Sequence, residues 1–574
     1  MRKIVVIGGV AGGATAVARL RRLDEHARII LIERGENVSV ANCGLPYYIG
    51  GEINEREKLF VRTPEAFQRR FAAELRLKHE ALSIDRAAKT VSIQNLVTGE
   101  IINESYDVLI LSPGAKPISP PAACVGSDRV FTLRGVDDAD RIKAAISTLH
   151  PENAVVVGGG FVGLETAENL IRAGLSVSIV EMADQVLAPL DYEMACDVHQ
   201  HLAKHGVRLF LGQSVRDIEV TRSGLELRLD ENIIHADLVI WAAGVRPESA
   251  LAAEAGLEVN ARGGIIVDER MRTSDPSIYA VGDAVAVNDY VTGLSTLIPL
   301  AGPANKQARI AADNICGIES EYAGTQGSAI VQLCSMTCAV TGINEKTARR
   351  IGLDYDKAYS WTPGHAGYYP GSKSMQIKAI FEKGTGRILG AQIVGYDGVD
   401  KRCDVLATAV RAGMYAHDLT RLELCYAPPY SSAKDPVNMI GWVIENLLTG
   451  KVQQYHIDDV STIPRDGSAT LLDVRTPQEV RLGRIKGFIN VPLETLRDCI
   501  GTIPKDKPVY VHCHSGVKSY IACRILTQHG FRASHMAGGY RLYHSVYNNQ
   551  KKGQPLTETL HAENVPGIVE IGKR

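Results

Sequence analysis

One pattern narrows the fold more than any other, and it occurs twice: an apolar strand, a glycine-rich turn, a helix, and a second strand ending on an acid. The first copy is "KIVVIGGVAGGATAVARLRRL" followed by "ARIILIERG", which closes on Glu33. The second is "AVVVGGGFVGLETAENLIRAGLSVSIVEMAD", with Gly158, Gly160 and Gly163 in G-x-G-x-x-G register and Glu181 ending the following strand. An uninterrupted apolar strand beside a helix belongs to a parallel sheet covered on both faces. Gly8 permits the tight turn, Gly13 is read with it as cofactor-binding, and the helix N-terminus can face a pyrophosphate while the acid accepts from a ribose hydroxyl. In the first copy Val10 stands where the middle glycine would be. One such turn can close an α/β unit without a ligand; two copies argue for two dinucleotides. Glu181 would repel a 2′-phosphate, which favours NADH over NADPH.

A chain of 574 residues exceeds a single core and suggests three or four domains. A net charge of −2 gives no broad attraction to nucleic acid or membrane, so neither is expected as a partner. The opening "MRKIVVIGGVAGGATA" is read as a strand and loop rather than a leader, because glycines interrupt its apolar run. No run reaches the roughly 18 apolar residues of a membrane span. Eleven scattered cysteines fit a reducing compartment, and a cytoplasmic location is expected.

The stretch "SVANCGLPYYIGG", residues 39–51, contains one cysteine, Cys43, and the next is Cys124. Either Cys43 is a packed residue or its partner sulfur comes from a substrate. Pro46 suits a helix first turn, so Cys43 is expected at a helix N-terminus whose dipole lowers its pKa. Further on, "DLVIWAAGVRP" and "TSDPSIYAVGDA" place an apolar strand before a Gly-Asp turn containing Asp283. Two dinucleotide folds with this late Gly-Asp segment resemble the flavoproteins with two dinucleotide-binding domains, the pyridine nucleotide-disulfide oxidoreductases. The segment "VLILSPGAKP" resembles that family's link between its folds. The resemblance implies FAD in the first fold, NADH in the second, and Asp283 at the FAD ribityl region.

Ser39-x-x-x-Cys43 is similar to the coenzyme A-disulfide reductase branch, which uses one cysteine and borrows the second sulfur from CoA. That resemblance implies a mixed disulfide between Cys43 and CoA, and CoA contacts from Thr15, Arg19, Arg22, Ser39, Asn42 and Lys434. Thr15, Arg19 and Arg22 share one helical face at this spacing, a face that can equally be a solvated basic stripe. The family's dimerisation domain would cover 325–445, with Tyr368 of "HAGYYPG" and Tyr426 of "CYAPPYSSAKDPVNM" reaching the partner subunit's cysteine in a homodimer; interface packing is the alternative. Cys334 and Cys338 have poor metal spacing and no histidine neighbour, so they are read as core, and no metal is expected.

After "WVIENLLTGKVQQYH" the pattern restarts. The segment 459–548 resembles a rhodanese domain, with Cys513 of "KPVYVHCHSGVKSYIACRILTQHGF" at a strand end before a loop that opens a helix. Backbone N–H groups from Cys513 to Lys518 can curl around a sulfur anion. A tyrosine-phosphatase loop would also begin His-Cys but needs five residues and then Arg to grip a phosphate; residue 519 is Ser and residue 518 is Lys, so that reading is poor. Many rhodaneses carry Arg at the place of Lys518, and a lysine cannot make the bidentate fork.

The expected architecture is therefore α/β: two nested Rossmann-like dinucleotide-binding domains, an α+β dimerisation domain and a C-terminal α/β rhodanese domain. The boundaries are 1–112 with 245–324 for FAD, 113–244 for NADH, 325–445 for dimerisation, a linker at 446–458, the rhodanese segment 459–548 and a tail at 549–574. The resemblance is to an NADH-dependent persulfide reductase type acting on small thiol or persulfide substrates. An NADH oxidase or peroxidase cycling Cys43 as a sulfenic acid, and a flavin-bound redox sensor or sulfur carrier without turnover, are the alternatives.

Overall fold

The computed structural model describes residues 1–549 apart from Val125 and Ser223. Beyond Asn549, the expected tail lies outside the described residues. The chain divides into two compact units: residues 1–177, 215–229 and 233–327, and residues 178–214 and 230–232 with the chain from Ser328 onward.

In the first unit a five-stranded parallel sheet runs Ile278–Ala280, Val108–Leu111, Lys3–Ile7, Arg28–Glu33, Glu74–Leu77. Ile4, Val5 and Val6 have no exposed surface, as expected for a central strand covered on both faces. The helix Ala11–Leu23 leaves the first strand through Gly8, whose φ of +96° suits glycine. The same unit holds the start of a second parallel arrangement, Asn153–Val157 beside Leu238–Trp241 beside Val130–Phe131, with the helix Phe161–Arg172.

In the second unit, Ser178 to Glu181 pairs in parallel with Arg208–Leu211. A five-stranded antiparallel sheet follows, in the order Ala329–Leu333, Met336–Gly342, Ile388–Gly395, Ser374–Glu382, Tyr355–Pro363. The C-terminal sheet is parallel, in the order Gln453–Tyr455, Ala533–Met536, Val509–His512, Thr470–Asp473, Ile489–Asn490. The α/β expectation holds, with two parallel nucleotide-type sheets, an antiparallel sheet and a parallel C-terminal sheet. Among the described residues no helix is long and apolar enough to cross a membrane.

The second unit also contains a buried ionic knot. Lys378 has no exposed side-chain surface, and its Nζ lies 2.8 Å from Asp191 and 2.7 Å from Glu345, with Glu193 as a third carboxylate partner. Lys357 meets both oxygens of Glu345 at 2.8 Å, and the Tyr359 hydroxyl donates to Glu193 at 2.6 Å.

Candidate active sites

The two glycine turns have the geometry of phosphate cradles. A Cβ on Gly8 would lie 2.0 Å from the Ser112 carbonyl oxygen, and one on Gly13 1.7 Å from that of Gly8. Gly158 and Gly163 repeat this, at 2.2 Å from Ala242 O and 2.0 Å from Gly158 O. A Cβ on Gly160 would meet nothing within 4 Å, so this glycine keeps open space in front of the helix rather than room inside the fold. Neither the helix Ala11–Leu23 nor Phe161–Arg172 has a capping side chain or an acid in its first turn, which leaves both N-termini suited to an anion. These features fit FAD and a nicotinamide dinucleotide. Glu33 accepts from the Gly9 and Gly35 N–H groups at 2.7 Å, which fixes its carboxylate at the strand end. Glu181, in the second unit, accepts from the Ala183 N–H at 2.8 Å. Asp283 follows the strand Ile278–Ala280, and burial pushes its carboxyl up, with Arg134 opposing.

Cys43 lies in the 3₁₀ turn Asn42–Gly44 that leads into the helix Leu45–Ile49, with Pro46 in the first helical turn. The expected helix end is present, but the expected lowering of the thiol pKa is not. Although the residue is exposed, burial around the thiol is the largest influence and raises its pKa; the carboxylates of Glu165 and Asp283 raise it further. A five-residue helix has a weak dipole, and two nearby acids outweigh it. Glu165, on the helix Phe161–Arg172, is pushed up to about 7 by burial, against a hydrogen bond from the Tyr47 hydroxyl at 3.5 Å. The sequence reading missed Glu165; its signal was an acid on the helix that follows the second glycine turn.

The other residues expected at a thiol-ligand site are placed as follows. Ser39 has φ +56° and its N–H donates to Gly9 O at 2.8 Å, while Asn42 is exposed beside Cys43. The Thr15 hydroxyl donates to Asn305 at 2.7 Å, Arg19 is ion-paired with Asp313 at 2.6 Å, and Arg22 is exposed. In the second unit Lys434 is exposed just before the buried helix cap Asp435, which Arg402 holds at 2.9 Å. Tyr368 and Tyr426 are both exposed with hydroxyls 2.8 Å apart, and their hydrogen bond raises the Tyr368 phenol.

Cys513 ends the strand Val509–His512 and is buried. The Gly516 N–H donates to its Sγ at 3.1 Å, and the thiol donates to Ser519 Oγ at 3.3 Å. The helix Val517–Gln528 begins directly behind this loop. From the opposite side, the Tyr540 N–H donates to Cys513 O at 2.7 Å and the Arg541 N–H to His514 O at 2.9 Å. Glycine at 539 allows this approach, since a Cβ there would lie 2.5 Å from His514 O. Lys518 is 3.3 Å from Glu479, so a carboxylate accompanies the cation at this loop. Arg475 pairs with Asp473 at 2.7 Å and lies 4.0 Å from the Tyr540 ring centre. This is a sulfur held by an amide donor at a helix start, an arrangement that stabilises an anionic sulfur.

Cys338 is buried core, as expected. Cys334 is not: it sits half-buried on the turn between Ala329–Leu333 and Met336–Gly342, close in space to His201 and His205.

Comparison with known proteins agrees with this layout. The family profile described as pyridine nucleotide-disulphide oxidoreductase matches residues 2–308, its dimerisation domain residues 328–436, and a rhodanese-like domain residues 457–545. A coenzyme A disulfide reductase of Staphylococcus aureus (strain bovine RF122 / ET3-1) is 35% identical over 444 residues, covering 77% of this chain and 99% of the relative. The structure of reduced Bacillus anthracis CoADR-RHD superposes with a TM-score of 0.93 at 49% identity, covering 95% of this chain and 98% of that one. An NAD-dependent persulfide reductase from A. fulgidus gives 0.88 at 38% identity, covering 94% and 100%. The water-forming NADH oxidase from Lactobacillus brevis gives 0.75 at 26% identity, covering 78% and 99%.

Proposed function

The chain belongs to the pyridine nucleotide-disulphide oxidoreductase family, with that family's dimerisation domain and a C-terminal rhodanese domain, and from this premise we propose that it uses NADH to reduce coenzyme A persulfide, polysulfide or coenzyme A disulfide through Cys43, while Cys513 handles sulfane sulfur. It is an FAD- and NAD(P)-dependent oxidoreductase of the coenzyme A-disulfide reductase and persulfide reductase type. The observation that carries the proposal is the difference in setting of two cysteines: Cys43 on a segment tied to the first glycine turn through the Ser39 N–H and Gly9 O, with Glu165 and Asp283 acting on its thiol, and Cys513 in an amide loop of another domain.

When bound, FAD supplies two-electron exchange between the nicotinamide and sulfur. The chain's own part is to hold, orient and exchange sulfur. Gly8, Gly13, Glu33 and Asp283 hold the flavin nucleotide, and Gly158, Gly160, Gly163 and Glu181 hold NADH, with Glu181 disfavouring a 2′-phosphate. Thr15, Arg19, Arg22, Ser39, Asn42 and Lys434 hold CoA. The Cys43 thiolate attacks the thiol-side sulfur of a CoA persulfide; the persulfide bond breaks, hydrosulfide leaves, and a mixed disulfide between Cys43 and CoA forms. Two electrons and a proton then restore the thiolate and release CoA. In a homodimer, Tyr368 and Tyr426 share a proton at the partner subunit's Cys43. Lys518, paired with Glu479, presents a partly neutralised cation at the Cys513 loop, which suits a persulfide better than a dianionic donor.

The oxidase reading has support from the Lactobacillus relative, but that likeness covers 78% of this chain, and the rhodanese segment favours sulfur chemistry. The test is Cys43→Ser in the full-length flavoprotein, assayed with NADH and NADPH against CoA disulfide, CoA persulfide and hydrogen peroxide. Retained flavin with loss of sulfur-substrate turnover supports the proposal. Undiminished turnover, or peroxide as the preferred oxidant of the wild type, overturns it.

A further inference from the structure

We propose that His201, His205 and Cys334 form a binding site for a single zinc-class divalent ion, which staples the helix Tyr192–Lys204 to the turn between the first two strands of the antiparallel sheet. A ring nitrogen of each histidine and the sulfur of Cys334 lie within 4.8 Å of one another. Imidazole nitrogen and thiolate sulfur are the donors zinc prefers, and two histidines with one cysteine leave the fourth tetrahedral corner for water.

The helix sets the first two ligands. His201 is in its last turn and His205 is its C-cap, so the four-residue spacing stacks both rings on one side, with centroids 4.3 Å apart. Each ring is already oriented by a backbone carbonyl. The contact of His205 Nδ1 is His201 O at 2.9 Å, and that of His201 Nε2 is Leu333 O at 3.1 Å. A carbonyl on one ring nitrogen fixes the tautomer and leaves the other nitrogen for a metal, the usual support of a ligating histidine. The remaining nitrogen of His201 has only a long contact, 3.4 Å to the Tyr396 hydroxyl.

The third ligand arrives on an unusual backbone. Cys334 has φ +54°, a conformation that glycine or asparagine adopts with less strain. At this turn a cysteine is not the residue that local geometry selects, and its position beside two imidazoles gives it a use. His201 is buried, whereas His205 is exposed and Cys334 half-buried, so an ion can reach the site from solvent.

The other compact ligand group among the described residues, Asp191 with Glu193 and Glu345, makes a useful contrast. The Lys378 ammonium already stands among those three carboxylates and supplies their cation. The His201 group offers the softer donor set, two imidazoles and a thiol.

An ion here would act on the helix that carries the last helix of the rhodanese domain. Gln200, the residue before His201, donates to Ser545 O at 3.2 Å, and Ser545 donates to Asp197, about one helical turn before His201. Pinning this helix to the sheet turn therefore firms the surface on which Gly539–Asn548 rests.

The experiment uses the full-length flavoprotein carrying Cys43→Ser and Cys513→Ser, so that neither of these sulfurs competes for metal. Zinc is added, excess is removed by desalting, and retained zinc is measured by mass spectrometry alongside Tm. The expected result is about one zinc per chain and a raised Tm, with one proton released as the thiol ionises. His205→Ala and Cys334→Ser, both at accessible positions, should each weaken retention by at least about tenfold and abolish the Tm rise. Cobalt substitution should give a sulfur-to-cobalt absorption that Cys334→Ser removes. Retention unchanged by both substitutions, or no retained zinc, overturns the proposal.

Discussion

The indole N–H of Trp361 donates to the carbonyl oxygen of Gly538 at 3.1 Å, joining the edge strand of the antiparallel sheet to the loop that closes over Cys513. The Arg541 guanidinium stacks 3.8 Å from the centre of the same indole. Gly538 precedes Gly539, Tyr540 and Arg541, whose backbones hold the Cys513 and His514 carbonyls. The sulfur loop is thus tied to a residue outside its own domain.

Trp361→Phe keeps a ring for Arg541 but removes the donor to Gly538. One neutral hydrogen bond contributes about 1 kcal/mol, so sulfur transfer at Cys513 should slow by roughly two- to tenfold. Reduction of CoA disulfide should be unchanged. Parallel assays of the two activities check this, and equal losses in both would show that the contact is merely structural.

Cys513→Ser should divide the substrates. On the proposed function FAD and NADH are held by the glycine turns outside the rhodanese domain and Cys513 relays sulfur, so reduction of CoA disulfide at Cys43 should persist while reduction of polysulfide slows. Equal retention on both substrates would make the rhodanese domain a passenger.

Glu165→Gln should lower the Cys43 thiol pKa. Glu165 titrates near 7, and above that pH its carboxylate raises the thiol. Alkylation of Cys43 followed against pH should show its midpoint moving to lower pH in the variant. The step near pH 7 in the wild-type profile should vanish. An unmoved midpoint would remove Glu165 from the site.

Acid should loosen the rhodanese domain through two histidines. His512 and His535 are buried, and burial depresses both to about 4, against an unfolded value near 6.5. Between those values the unfolded chain binds protons that the folded domain does not. Stability is therefore full above about pH 6.5 and falls as pH drops toward 4, by up to about 3 kcal/mol per histidine. Denaturant midpoints measured from pH 7 to 4.5 should decline, and His535→Gln should flatten the decline.

Much of this was legible in the sequence because local sterics write themselves there. Gly8 and Gly13 are demanded by carbonyls within a few ångströms, and the strand-loop-helix around Cys513 is continuous in the chain. The direction of the Cys43 pKa was misread because Glu165 and Asp283 are more than a hundred residues away, and only the tertiary fold sets them beside a weak helix end. Cys334 was assigned to the core for the same reason: its histidine neighbours are adjacent in space, not in spacing. Trp361 carried no sequence signal, since its partner Gly538 lies 177 positions on.

Lys378 and its three carboxylates also limit how this chain can vary over descent. Losing the lysine alone takes from Asp191, Glu193 and Glu345 the cation they share, leaving Lys357 and Arg349 on Glu345, and losing one acid leaves an ammonium under-compensated; breaking a buried ion pair in this way commonly costs about 3–5 kcal/mol. A full exchange for apolar residues can be neutral, but only when all the members change together. Asp191, Glu193, Glu345 and Lys378 therefore form a single heritable character spread over 187 positions, reachable by concerted replacement and closed to stepwise drift.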